Sequence, residues 1–322
     1  MDTELHDELD NIFISNEFNI TTSAILDMQN KVMRWIADGT PGAIIYGRPR
    51  IGKTRAILYI AASLKVKYGR ELPIYVFNAT EHNSSDKFFY SELLKTVGHP
   101  EYDKGTVSVL KERLLNSLMN SACNTRYCKI ILFIDEAYNF TEKDFKWLMD
   151  IYNNLNLRNI HMTVFLVGSE ELKARKQALI MGKQHQIVGR FMVEECHFHG
   201  LESAKDISIC LYNFDKPLML FNNANVILTK EYFPNAHADG KVMAHCADEL
   251  MKEYLAVMKE IGIPSKSEIP MMYFINTMKN CFNIYGKYGK NIYFPDVDVW
   301  RESILNSGYV AAERIYYDVP IG

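Results

Sequence analysis

The sequence predicts an α/β fold, with a central five-stranded parallel sheet followed by a mostly helical region. Three observations carry this. Short apolar runs alternate with helical patterns through the first two hundred residues. A glycine-bearing loop, GRPRIGKT at 47–54, joins the first apolar run to a helix. From about residue 201 helical patterns dominate. Strands that alternate with helices connect by crossovers, so the strands run parallel and the helices cover the sheet's faces.

The elements follow in order. Residues 21–38 read as an amphipathic helix, with Ile25, Met28, Val32 and Ile36 on one face, Trp35 beside them and Gly39 at its end. AIIY at 43–46 is a short buried strand, and TRAILYIAASLKVKYG is a helix ended by Gly69. PIYVFN at 73–78 is the second strand. Helical patterns then cover about 84–97 and 106–122, the latter carrying Val107, Leu110, Leu114 and Leu118. KIILFIDEA from 129 is an apolar strand ending in two acids, with the helix EKDFKWLMDIYNNL behind it. IHMTVFLVGS from 160 and FMVEECHF from 191 complete five strands. Beyond them lie the helical pieces ESAKDISICLYNF, DELMKEYLAVMKEIG and EIPMMYFINTMKNCF, separated by loops rich in Asn, Gly and Pro.

The expected organisation is an acidic segment at 1–20, a nucleotide-binding α/β domain at 21–200, a helical lid domain at 201–283 and an aromatic, basic tail at 284–322. For that tail two readings stand: partner docking through Tyr285, Tyr288 and Trp300, or aromatics folded onto the lid.

Composition narrows the class. The chain has 322 residues, 48% of them hydrophobic, enough for a sizeable core, and a formal net charge of −3. The charge excludes a sequence-wide polycation but not a local basic surface. No run approaches the roughly 18 consecutive apolar residues of a membrane span. The start, MDTELHDELD, is acidic, unlike a signal peptide. Cys123, Cys128, Cys196, Cys210, Cys246 and Cys281 lack the spacing of a disulfide framework and read as reduced thiols. A cytoplasmic protein is expected. In CHFH at 196–199, strand alternation sets His197 and His199 opposite Cys196, which argues against a metal site there.

Gly47 to Thr54 matches G-x-x-x-x-G-K-[ST], with a strand before it and a helix after. The chemistry demands a backbone that curls its N–H groups round phosphate oxygens at a helix start. Gly47 and Gly52 permit the turn, Lys53 offers a cation to the phosphates, and Thr54 supplies an oxygen to Mg²⁺. The whole run Gly47, Arg48, Pro49, Arg50, Ile51, Gly52, Lys53, Thr54 and Arg55 is assigned to nucleotide binding. Asp135 ends an apolar strand, as a metal-holding carboxylate must, and Glu136 beside it is placed to polarise the attacking water. The pattern predicts ATP hydrolysis with ATP and Mg²⁺ as ligands.

Three further residues fit this class. Ser169 ends the fourth strand, where a hydroxyl can reach the γ-phosphate or the water. Asn78 ends the second, from where an amide can restrain Glu136. Arg190 is a candidate arginine finger for a neighbouring subunit's site. The alternatives are a strand-end cap at Ser169 and Asn78, and a surface ion pair at Arg190.

Together GRPRIGKT, LFIDEA, VFLVGS and VGRF resemble an AAA+ ATPase of P-loop NTPase fold, and more narrowly the transposition regulators TnsC and TniB. The resemblance covers about residues 20–200 and includes Arg50 in the middle of the loop. It implies an ATP-dependent regulator of transposition. Such a protein assembles as a ring or helical filament on double-stranded DNA and recruits a transposase alongside a target-selection protein. Hydrolysis then disassembles it. By the same resemblance KGTVSVLKERLL, from Lys104, approaches the DNA backbone. Lys104 and Thr106 are then candidate phosphate contacts, with Ser85 and Lys87 as further candidates. The alternative for Lys104 and Thr106 is a helix cap beside a solvated Lys. The chain departs from the family in EIPMMYFINTMKNCF, which has no Arg; Lys279 is its only cation. Two rival roles use the same site: another DNA-loading AAA+ ATPase, and a nucleotide-gated oligomer in signalling or defence.

Overall fold

The computed structural model describes residues 20–82, 85–219, 225–264 and 268–318. The expected acidic segment at 1–20 lies outside them, apart from Ile20. The chain divides into two compact units. Asp27–Pro49 and Lys53–Phe198 form one; Arg50–Gly52, the chain from His199 onward and the segment up to Leu26 form the other.

The first unit is built on five parallel strands: β1 (Gly42–Tyr46), β2 (Ile74–Asn78), β3 (Lys129–Asp135), β4 (His161–Gly168) and β5 (Glu194–His197). Their order across the sheet is β2-β3-β4-β1-β5. The three inner strands are buried nearly end to end, which is why each reads as an apolar run rather than an alternation. The edge strand β5 carries acids, and Glu194 Oε2 accepts from Trp35 Nε1 at 2.9 Å. The parallel register sets the carboxyl ends of the strands together. Asn78 pairs with Asp135, and Tyr46 pairs with both Gly168 and His197.

Helices cover the sheet: α1 (Ser23–Ala37), α2 (Lys53–Tyr68), α3 (Asp86–Thr96), α4 (Val107–Cys123), α5 (Glu142–Asn156), α6 (Glu171–Met181) and α7 (His185–Phe191). Helix α5 starts with a reciprocal capping box between Thr141 and Asp144. Buried Phe89, Leu94, Leu110, Leu114, Phe140, Phe145 and Leu148 fill the space against β3 and β4.

The structure differs from expectation at the last strand. FMVEECHF does not start a strand at 191: Phe191 ends α7, and β5 begins at Glu194. Ile187 and Phe191 are four residues apart and both buried, so the apolar run at 191 belongs to a helix face. A Cβ on Gly42 would stand 2.9 Å from Phe191 Cα, so the bare glycine lets α7 close on β1. The helices α6 and α7 themselves are additions to the expected pattern.

The second unit is mostly helical: α8 (Ala204–Tyr212), α9 (Leu228–Tyr232), α10 (Pro234–Ala238), α11 (Ala247–Glu260), α12 (Met271–Asn280), α13 (Val297–Leu305) and α14 (Tyr309–Tyr316). A two-stranded antiparallel pair, β6 (Pro217–Met219) and β7 (Asn225–Ile227), lies among them. The core is aromatic, and the Tyr254 hydroxyl lies 2.7 Å from Thr277 Oγ1 inside it. The stretch after 284 forms α13 and α14. Of the three aromatics weighed as partner anchors, Trp300 and Tyr285 are buried in this core, and Tyr288 donates to Glu231 Oε1 at 2.5 Å. Lys279 sits on α12.

Candidate active site

The loop after β1 is tied to the sheet at its start, where Gly47 N–H donates to Gly168 O at 3.3 Å. Gly47 and Arg48 are buried, Pro49 and Arg50 exposed, and Ile51 buried. Arg50 has φ 66° and Gly52 φ 100°. The value at Gly52 is strained for any L side chain, so the motif's second glycine is required by the turn. Lys53 starts α2 and folds into the loop, its Nζ donating to Gly47 O and Arg48 O, each at 2.9 Å. No acid occupies the first turn of this 16-residue helix, so its positive end stays available to an anion. Thr54 and Arg55 follow, both exposed.

Across the sheet Asp135 ends β3, 4% exposed. Its Oδ2 accepts from Thr54 Oγ1 at 2.6 Å and its Oδ1 from Glu136 N–H at 3.0 Å. Among the described residues this buried carboxylate has no ion-pair partner. A buried carboxylate beside a hydroxyl is a hard-oxygen pair suited to a divalent cation that keeps its other positions for phosphate and water. The residues therefore fit Mg²⁺ and a nucleotide phosphate chain.

Glu136 follows with a left-handed backbone, φ 52° and ψ 38°, and opens the 3-10 turn Ala137–Asn139. Tyr138 stands in that turn. Burial first, and then the Glu136 charge, raise its hydroxyl above the ordinary tyrosine range. Ser169 Oγ, one residue beyond β4, is buried with no hydrogen-bond partner among the described residues. An orphaned hydroxyl at the ends of the strands fits a site that gains polar atoms from a ligand.

Other expected residues stand apart. Asn78 lies beside Asp135 in register, but among the described residues no hydrogen bond joins it to Glu136, and it is exposed. Arg190 is on α7. Its guanidinium lies over the Tyr152 ring, 4.5 Å from the centroid, and Nη1 donates to Asn153 Oδ1. Among the described residues the surface ion pair weighed for it is not formed; a ring and an amide hold it instead. Lys104 and Thr106 flank Gly105, with φ 116°, at the start of α4. Thr106 is the N-cap residue yet makes no side-chain cap bond, no acid lies in the first turn, and Lys104 is exposed. Arg113 braces this turn through Nη1, to Lys104 O at 2.5 Å and Glu101 O at 3.0 Å. Ser85 caps α3, accepting from Phe88 N–H at 3.4 Å, and Lys87 is exposed.

Sequence reasoning missed Tyr152 and Asn153, which hold Arg190. Nothing in the sequence links residues 152 and 153 to 190.

Residues 37–175 match the family model described as AAA domain. The fold is similar to that of the Aeropyrum pernix ORC2 protein, solved as ADPNP–ADP complexes. The identity is 12% over 92% of this chain and 71% of that one, with a TM-score of 0.58. Aeropyrum pernix ORC1 in complex with DNA aligns at 13% identity over 83% of this chain and 68% of that one, TM-score 0.45. Drosophila ORC bound to DNA aligns at 10% identity over 87% of this chain but 41% of that one, TM-score 0.47. No curated protein sequence matches. The parallel sheet, the phosphate loop between β1 and α2, the AAA domain match and the likeness to ORC2 establish the fold as that of an AAA+ P-loop NTPase.

Proposed function

We propose that this protein is a Mg²⁺-dependent ATPase that assembles on double-stranded DNA when ATP is bound, in the manner of the TnsC and TniB transposition regulators. The observation that carries the ATPase reading is the contact of Thr54 Oγ1 with the buried Asp135 carboxylate, at the open end of a sheet whose neighbouring loop holds Lys53.

The chain's residues divide the work. Loop N–H groups and Lys53 bind phosphate oxygens, and Thr54 with Asp135 hold the metal. Held there by Thr54 and Asp135, Mg²⁺ would supply positive charge against the charge that develops on the phosphate oxygens. Glu136 orients the attacking water, and the Ser169 hydroxyl donates to that water or to the terminal phosphate. Arg190 reaches a neighbouring subunit's site, where its charge stabilises the transition state.

DNA binding is supported by the turn before α4. An exposed Lys104, an uncommitted Thr106 hydroxyl and an acid-free helix start are suited to a backbone phosphate. Ser85 and Lys87 add a second, smaller set at the start of α3. One or two such contacts bind weakly in one subunit, and an oligomer sums them. The transposase and target-selection partners follow from the sequence resemblance of GRPRIGKT, LFIDEA, VFLVGS and VGRF alone.

The test is phosphate release from ATP, with Mg²⁺ or with EDTA, in the presence and absence of duplex DNA. Release that needs Mg²⁺ and responds to duplex supports the proposal. Release indifferent to DNA, alongside ATP-dependent oligomers, moves the reading to a nucleotide-gated module in signalling or defence.

A further inference from the structure

The middle of the phosphate loop, Arg50–Gly52, belongs to the second unit. Arg50 takes a left-handed backbone, φ 66°, that a residue with a side chain seldom adopts. Two contacts hold it there. Its carbonyl accepts from Met272 N–H at 3.1 Å, one of the first-turn donors of α12 that lack a partner inside the helix. Its guanidinium donates through Nη1 to the Tyr273 hydroxyl and lies 5.8 Å from the centroid of that ring. Tyr273 is 4% exposed and is itself fixed. Its carbonyl accepts from Thr277 Oγ1 at 2.9 Å, and its ring packs edge-on with Tyr309 at 6.1 Å. Gly52 passes the same helix start, where a Cβ on it would stand 3.9 Å from Met271 Cβ.

We propose that Arg50 is a positioning residue of the phosphate loop, clamped to Met272 and Tyr273 at the start of α12, and that it sets the loop's turn instead of touching the nucleotide. This rests on the ATPase reading above. A guanidinium that binds phosphate presents its fork of donors to the anion. Here the guanidinium is committed to a buried hydroxyl and its ring. Lys53 differs, since its ammonium ends inside the loop on Gly47 O and Arg48 O, where phosphate oxygens would come. The loop's N–H groups can curl round phosphate only if the chain turns at Arg50 and Gly52. A strained turn already held before ATP arrives leaves less ordering for binding to supply. Helix α12 carries no arginine, and Lys279 is its only cation. The charge that joins this helix to the loop comes from the loop itself.

The experiment compares Arg50→Ala, Tyr273→Phe and the double variant by titration with a fluorescent ATP analogue and Mg²⁺, with thermal melts of the nucleotide-free proteins alongside. Phe keeps the ring in the core and removes the acceptor. Each single substitution weakens analogue binding by about tenfold, the loss of one hydrogen bond to a charged group, and the double variant binds no more weakly than Arg50→Ala. The Tm losses are coupled in the same way, because both substitutions remove one contact. Lower Tm with unchanged affinity would make the contact merely structural and overturn the positioning role. Weaker binding in Arg50→Ala but not in Tyr273→Phe would make Arg50 a direct nucleotide contact and overturn the clamp. Lys53→Ala is the control for the reading beneath. If it binds the analogue like the wild type, the loop's assignment to phosphate fails, while the Tm cycle still reports on the Arg50–Tyr273 contact.

Discussion

Thr54 donates from Oγ1 to Asp135 Oδ2 at 2.6 Å, joining the first turn of α2 to the end of β3 across 81 residues of chain. Two folding choices create that contact. The apolar run of β3 buries itself up to Asp135, leaving the acid at the strand's end, and the loop after β1 turns so that Thr54 faces it. A phosphate-bound cation needs both.

Thr54→Val removes the hydroxyl at nearly constant volume. The Mg²⁺ concentration for half-maximal hydrolysis should rise about tenfold, the effect of removing one polar interaction of about 1.4 kcal/mol. Nucleotide affinity measured in EDTA should stay unchanged. A Mg²⁺ titration of phosphate release checks both.

Lys53→Ala should weaken ATP binding by roughly a hundredfold, the loss of a charge-assisted bond of about 3 kcal/mol. Its ammonium already lies within the loop, on Gly47 O and Arg48 O. Titration of a fluorescent ATP analogue reads the change, and unchanged affinity contradicts the loop's assignment.

Arg190 and Glu136 are predicted to act in different subunits. Arg190→Ala should lower turnover by roughly 10³-fold, in the range of other arginine fingers. Glu136→Gln should bind ATP and not turn over. Mixing the two variants should restore part of the activity, because one interface then pairs an intact Arg190 with an intact Glu136. No recovery on mixing would place Arg190 outside the chemistry.

A pH dependence follows from Asp206. Partial burial pushes its carboxyl up, but hydrogen bonds from Ser23, Ser203 and the Glu202 N–H outweigh that and hold it below its ordinary 3.8. A carboxylate with a depressed folded value stabilises the protein above the unfolded value, and that stabilisation is lost as pH falls through the folded one. Asp206→Asn should therefore lower Tm at pH 6, with the gap to wild type closing below about pH 4. Thermal melts across that range check the sign.

Much of the fold was legible because the inner strands are buried on both faces. IILFID and TVFLVG cannot be amphipathic helices, and the loop between β1 and α2 announces itself by glycine spacing. The same logic misread residues 191–193, where Phe191 and Met192 supply an apolar run that serves a helix end packed on Gly42. The geometry of the candidate site was legible where spacing is fixed, as in Lys53 lying within its loop and Thr54 meeting Asp135. It was not legible where a contact depends on two helices meeting, as between Arg190 and Asn153. Trp300 and Tyr285 show a related limit: a weakly periodic tail left partner docking and folded-in aromatics both open, and the burial of these two fits the second.

Lys104→Ala with Thr106→Ala should weaken duplex binding without changing ATP affinity. It should also flatten the dependence of log affinity on log salt by about one unit for each phosphate no longer bound. An unchanged salt slope would remove the start of α4 from the DNA interface.

The most direct measurement is fluorescence anisotropy of a short labelled DNA duplex, titrated with the protein in three states: no nucleotide, ADP, and a non-hydrolysable ATP analogue with Mg²⁺. The account predicts binding only with the analogue, rising steeply with protein concentration and weakening with salt. Anisotropy that stays flat in every state, while the analogue still drives the protein into oligomers, would contradict it.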